Sequence, residues 1–166
     1  REKRAPARLR KSIARLLKAL QKELSEVEAD IDGTMRGSPL WREKETLLVS
    51  VPGVGQTIAR SLMADLPEPG DPDRREIAAL AGLAPHTRQS GQWKGRSFIS
   101  GGRAEPRASL FVAAMVAARH TPPLKTFYQR LVVAGKPKKL ALIAVARKLL
   151  TILNAILREK KPWQPA

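Results

Sequence analysis

Apolar residues recur through residues 7 to 32 at alternating spacings of four and three: Ile13, Leu17, Leu20, Leu24, Val27 and Ile31. That spacing lays them in one seam along an α-helix at heptad period, with Lys, Arg and Glu on the rest of the cylinder. It predicts a long amphipathic helix that pairs as a coiled coil, with another chain or with a returning helix, or else packs on its own domain. Cations dominate up to Lys22 and acids from Glu23 to Asp32. DGTMRGSP (32–39) carries two glycines and a Ser-Pro and predicts a break and hinge. The pattern divides the chain into a coiled-coil helix over 1–36, a linker with the start of the next helix over 37–46, and a compact helical domain over 47–163.

Helical spacing resumes in LWREKETLLVS and leads into VPGVGQTIARSLMADL. A helix ends at Pro52, the chain turns through Gly53, Val54 and Gly55, and a second helix opens at Gln56 and Thr57. Val51, Val54, Ile58, Leu62 and Leu66 hold the two helices together. PEPGDPD (67–73) is another break, and Asp71 or Asp73 caps a short helix in RREIAALAGL. GLAPHTRQSGQWKGRSFISGGRAEPR (82–107) holds five glycines, three serines and two prolines and is not regular helix. QWKGRSFIS within it reads as a short hairpin strand.

AEPRASLFVAAMVAARH is apolar nearly all round, which predicts a buried central helix. A further helix starts near Pro122 or Pro123 and ends before Gly135. The last helix, in KPKKLALIAVARKLLTILNAILREKKPW, turns Leu, Ile, Val and Ala inward and keeps its Lys and Arg outward or at its ends. The fold class is mainly α: a coiled-coil helix, then a helical domain containing a helix-hairpin-helix-like turn and a glycine-rich loop with a short hairpin.

Charge narrows the partner. Against 15 acids stand 31 Lys and Arg, a net charge of +16 over 166 residues. Such a surplus points to a polyanion, because neutralising phosphates releases counterions and drives binding. Nucleic acid is the favoured partner. An anionic membrane is the other, but no apolar run is read as approaching the roughly 20 residues of a spanning helix, so no membrane partner is predicted. No signal peptide is visible. Cysteine is absent, so there is no disulfide, thiolate nucleophile or zinc-cysteine site, as fits a cytosolic protein. The chain starts at Arg1 and not at Met, so a fragment or processed product is expected.

Two places carry candidate chemistry. At Gly53, Gly55, Gln56 and Thr57 the backbone and the free N–H groups of a helix N-terminus suit a phosphate. A Pro-Gly-x-Gly turn can equally be structural. The second place is Ser90 in HTRQSGQWKG, among Arg88, Lys94, Arg96, Arg103 and Arg107. Those cations would hold a phosphodiester and stabilise charge developing on its oxygens. Ser90 would then attack phosphorus and leave a phosphoserine link that permits rejoining. The alternative is a hairpin turn whose cations only bind backbone.

Acids are sparse after Glu76, where only Glu105 and Glu159 remain. A two-metal nuclease site therefore cannot be built from this chain alone. His86 lies four residues from Ser90 but has no acid to orient it, so a Ser-His-Asp triad is not supported and His86 reads as a solvated loop residue. With only His86 and His120 present, no histidine metal cluster is predicted. Ser97 and Ser100 read as hairpin and loop residues, with Ser100 near phosphate. Gly101, Gly102 and Arg103 precede a helix where a second phosphate could sit. Lys136, Lys138 and Lys139 add a basic patch. Trp93 stacks on a base or packs on the domain, while Phe127 and Tyr128 read as core.

These ordered motifs, from LLVSVPGVGQTIARSLMADL through GLAPHTRQSGQWKGRSFISGGRAEPR to FYQRLVVAGKPKKLALIAVARKLL, resemble the C-terminal domain of bacterial insertion-sequence transposases of the IS-one-ten type, the bridge-RNA-guided recombinases. The resemblance covers about Leu47 to Trp163. It implies DNA strand breakage and rejoining through a serine at the position of Ser90. It also implies a missing N-terminal RuvC-like half whose acidic cluster binds a divalent metal, magnesium. No cofactor is expected in this chain. The implied partners are DNA, a guide RNA, and further copies as dimers or tetramers through the N-terminal helix, in the bacterial cytoplasm. Two other readings stand beside it: a noncatalytic DNA- or RNA-binding module, and a scaffold whose task is oligomerisation.

Overall fold

The computed structural model describes residues 6–66, 70–87, 89–90, 93–95 and 97–164. The protein is mainly α. Its described elements are α1 (Ala7–Gly37), α2 (Pro39–Val49), α3 (Gln56–Asp65), α4 (Glu76–Leu80), the two-residue strands β1 (Pro85–His86), β2 (Gln89–Ser90), β3 (Trp93–Lys94) and β4 (Phe98–Ile99), then α5 (Ala104–His120), α6 (Pro122–Val133) and α7 (Lys138–Glu159). The chain forms two compact units, residues 1–42 and 43–166.

In the first unit the break predicted within 32–39 falls at the last two of those residues, Ser38 and Pro39. Helix α1 continues through Gly33 to Gly37, and only Ser38 leaves it, at φ −117° and ψ 107°. One glycine costs a helix about 1 kcal/mol. Thr34 Oγ1 donates to the Asp30 carbonyl at 3.0 Å, and Arg36 pairs with Asp32 one turn back at 3.8 Å. Pro39 makes the real break, because the residue before a proline is forced out of helical geometry. Leu17, Leu20, Leu24, Val27 and Ile31 are all exposed.

The second unit is built around α5, which packs on α3, α6 and α7, while α7 also packs on α4 and α6. Leu110, Ala113, Ala114 and Ala117 of α5 are fully buried, and so are Val145, Ala146 and Leu149 of α7. The alanines let the two helices lie close. Val51, Val54, Leu62 and Leu66 are buried in the α2–α3 turn as expected, with Ile58 half-buried. A helix apolar all round is not buried all round here: Val112, Met115 and Val116 are exposed, because the neighbours of α5 cover only part of its circumference. Phe127 and Tyr128 are half-buried, not core. One further expectation is corrected: α7 is long and apolar enough to cross a membrane by length and composition. Less than half of its apolar window is buried in this unit, along a row that runs from Ala141 to Leu157.

Polar residues pin the connections. Thr121, buried between α5 and α6, donates Oγ1 to the Pro52 carbonyl at 3.1 Å. Asn154, buried on α7, accepts from Gly70 N–H at 2.6 Å and donates to the Pro72 carbonyl at 2.9 Å. Arg158 adds a bond to each of the Gly70 and Pro72 carbonyls. Asp73 caps the next turn: its Oδ1 accepts from the N–H groups of Arg75 and Glu76, and Glu76 Oε2 accepts from Asp73 N–H. These bonds favour the carboxylate, so the Asp73 pKa lies below its ordinary 3.8, chiefly through the Glu76 N–H and next the Arg75 N–H.

Candidate nucleic-acid site

The glycine-rich segment folds into a narrow antiparallel ribbon. Near its base Pro85 pairs with Ile99 and His86 with Phe98; further out Gln89 pairs with Lys94 and Ser90 with Trp93. Two residues separate β1 from β2 on the outgoing side, and three separate β3 from β4 on the return. The two pairs differ in register by one residue. Ser90 thus closes the outer pair with two residues between it and Trp93, and it is exposed. An oxygen sealed in the core would have excluded attack on a polymer; this one is reachable.

The expected cations divide into groups. Arg88 and Arg96 lie outside the described residues. Lys94 sits on the ribbon across from Gln89. Arg103 donates Nη1 to the Asp65 carbonyl at 3.0 Å and its backbone N–H to the Leu80 carbonyl at 2.8 Å. Arg107 donates Nη1 to the Gly101 carbonyl at 2.9 Å. Both guanidiniums therefore tie the ribbon's return to the helical unit, a role that spacing alone did not reveal. His86 is exposed, lies beside Phe98 with ring centroids 6.3 Å apart, and places Nε2 3.1 Å from the Ser100 carbonyl. Ser97 and Ser100 are exposed at the same end.

Gly82 and Gly102 account for part of the glycine content. Both have positive φ, 63° and 62°, and a side chain on Gly102 would strike the Gly82 backbone and come within 2.6 Å of the Ala79 carbonyl. Two backbones cross there at a separation only glycine permits. The sequence signal was two glycine-bearing turns on either side of the ribbon, but their meeting is tertiary.

The α2–α3 turn shows the same division of labour. Gly53 has φ +98°, and a Cβ there would lie 3.0 Å from Ala117 N and 3.2 Å from the Ala113 carbonyl on α5. Packing explains this glycine without a ligand. Gly55 differs: φ is −89°, and a Cβ would meet nothing within 4 Å. It is the N-cap of α3, with no side-chain cap, and it is exposed together with Gln56 and Thr57. Lys136, Lys138 and Lys139 are exposed at the start of α7. Among the described residues no group of three or more His, Cys, Asp or Glu could hold a metal ion.

A model of the family described as Transposase IS116/IS110/IS902 matches residues 45–129. The chain is 34% identical over 130 residues to a pilin gene-inverting protein of Moraxella bovis, covering 76% of this chain and 40% of that protein. It is 31% identical over 153 residues to a 43.6 kDa protein of insertion element IS110 from Streptomyces coelicolor, covering 89% and 36%. To a 42 kDa protein of insertion element IS900 from Mycobacterium paratuberculosis it is 33% identical over 168 residues, covering 93% and 39%. The chain thus spans about two fifths of the length of these relatives.

Proposed function

The chain belongs to the IS116/IS110/IS902 family of transposases, and from that premise we propose that Ser90 is the nucleophile of DNA strand breakage and rejoining. The observation that carries the reading is the position of Ser90: exposed, on the outer strand pair of a segment anchored to a compact helical unit. The Ser90 hydroxyl gives up its proton and its Oγ bonds to phosphorus. The bond from phosphorus to one sugar oxygen breaks, and that oxygen takes up a proton to leave as a hydroxyl. One phosphodiester has replaced another, so a hydroxyl from a second strand can reverse the step and rejoin. Lys94, Arg88 and Arg96 hold the phosphate oxygens as charge develops on them.

The family resemblance implies that the acidic residues and the divalent metal, magnesium, belong to a RuvC-like half outside this chain, and the few acids after Glu76 fit that reading. When bound there, the metal supplies Lewis-acid stabilisation of phosphate charge. Gly55, Gln56 and Thr57 grip a second stretch of backbone in helix-hairpin-helix fashion, with Gly53 shaping the turn. Lys136, Lys138, Lys139 and Arg103 extend the contact to DNA and to a guide RNA. The exposed seam of α1 supports self-association as dimers or tetramers.

The test is Ser90→Ala in a full-length protein that joins this chain to the acidic half. Loss of strand transfer with DNA and RNA binding retained supports the reading; unchanged transfer contradicts it and leaves a noncatalytic binding module.

A further inference from the structure

A second feature of the helical unit lies at the base of the ribbon, away from its tip. A cleft of about 1180 Å³ opens between β1 and β4, the residues before α4, and the first half of α7. Small-molecule pockets run to roughly 300–1,000 Å³, so this one has room for a segment of polymer. Five cations line it: Arg74, Arg75, Lys139, Arg147 and Lys148. No carboxylate is among its described lining residues. Its walls are apolar, through Phe98, Ile99, Leu140 and Ile143. Phe98 is 40% exposed at the lip, with the His86 ring beside it. Deeper in, Lys148 Nζ stands 4.7 Å from the centroid of the Phe127 ring.

Asp73 interacts with Arg74 and Arg75, but five lining cations with no lining carboxylate among the described residues leave a positive surplus. That surplus calls for an anionic ligand, and apolar walls with aromatic rings call for flat hydrophobic faces. Unpaired nucleotides offer both, since each base has a π-face and each linkage a phosphate. A paired duplex hides those faces. We propose that this cleft binds an unpaired stretch of nucleic acid, its bases against Phe98 and the apolar walls and its phosphates on Arg74, Arg75, Arg147 and Lys148. The ribbon joins the two places. Three residues lie between His86 and Ser90, and the four steps span at most roughly 13 Å of extended strand, which is about four nucleotide rises. Strand exchange between duplexes passes through unpaired segments, and the cleft holds one beside the reacting phosphate. The proposal rests on nucleic acid being the partner, and not on Ser90 being the nucleophile.

The test measures binding of the chain to a labelled single-stranded oligodeoxynucleotide and to a blunt duplex of the same sequence, at one salt concentration. Phe98→Ala and Arg147→Ala are compared with the unaltered chain, with thermal unfolding as the check on folding. Phe98→Ala is expected to weaken single-strand binding by about 5- to 100-fold, with duplex affinity unchanged, and Arg147→Ala shifts it in the same direction. Equal loss on both substrates overturns the assignment. So does unchanged single-strand affinity in both variants, the result expected if an acidic amphipathic helix fills the cleft. If the unaltered chain binds neither substrate, the wider nucleic-acid reading fails; if only selectivity is missing, the cleft assignment fails alone.

Discussion

Gly53 and Gly55 stand two residues apart in one turn and do different work. Gly53 needs positive φ and has the α5 backbone against it. Gly53→Ala is therefore expected to destabilise the fold by more than about 1 kcal/mol, read as a lower midpoint in denaturant. Gly55 has ordinary φ and open space, so Gly55→Asp supplies the N-cap that α3 lacks and raises stability. The same carboxylate would repel a phosphate, so DNA affinity should fall while the melting temperature holds or rises. A variant that binds DNA as tightly as the unaltered chain would remove this turn from the interface. Asp73 provides a pH test. Its folded pKa is lowered by the Glu76 and Arg75 N–H groups, so its stabilisation is present above the unfolded value of 3.8 and is lost as pH falls through the folded value. The stability gap between Asp73→Ala and the unaltered chain should be open near neutral pH and narrow below pH 3.8 in melting curves. The sequence allowed Asp71 or Asp73 as the cap; hydrogen bonds select Asp73.

At the scale of elements, periodicity revealed the helices and missed what terminates or covers them. The heptad seam located α1, but two glycines in DGTMRGSP suggested a break that a single proline makes seven residues later than its start. The alternation in QWKGRSFIS suggested a strand, and the ribbon is there. Its register, with one extra residue on the return side, depends on pairing that no local pattern reports. The apolar girth of α5 predicted full burial, yet how much of a helix is covered depends on its neighbours. The clamp on residues 70–72 was likewise illegible, because Asn154 and Arg158 lie more than eighty residues away in the chain. Asn154 bonds twice and is buried, so Asn154→Ala should cost about 1–3 kcal/mol by removing the acceptor of the half-buried Gly70 N–H and leaving the Pro72 carbonyl to Arg158 alone. Denaturant unfolding measures it, and a cost near zero would mean water replaces the amide freely.

For the whole molecule, charge and ordered motifs carried most of the functional reading. An excess of sixteen positive charges over 166 residues made a polyanion the expected partner, and the family match at residues 45–129 is the ground on which DNA is proposed. The candidate site was legible as a glycine-rich loop with a short hairpin holding Ser90, though not in its register, and the basic cleft was not legible at all. Its walls come from 74–75, 97–99 and 139–152, stretches that only tertiary packing assembles. Binding should weaken steeply with salt, by close to one decade of affinity per decade of salt for each phosphate neutralised; a flat profile would deny the electrostatic account. Removing residues 1–36 should lower the mass measured by sedimentation equilibrium to that of a single chain, because the exposed seam of α1 goes with them. Most directly, a full-length protein that carries this chain together with the proposed acidic half can be trapped on a nicked or suicide DNA substrate, digested, and its adduct located by mass spectrometry. The account predicts a nucleotide joined through phosphate to Ser90; efficient strand transfer with the adduct on another residue, or with none at all, would contradict it.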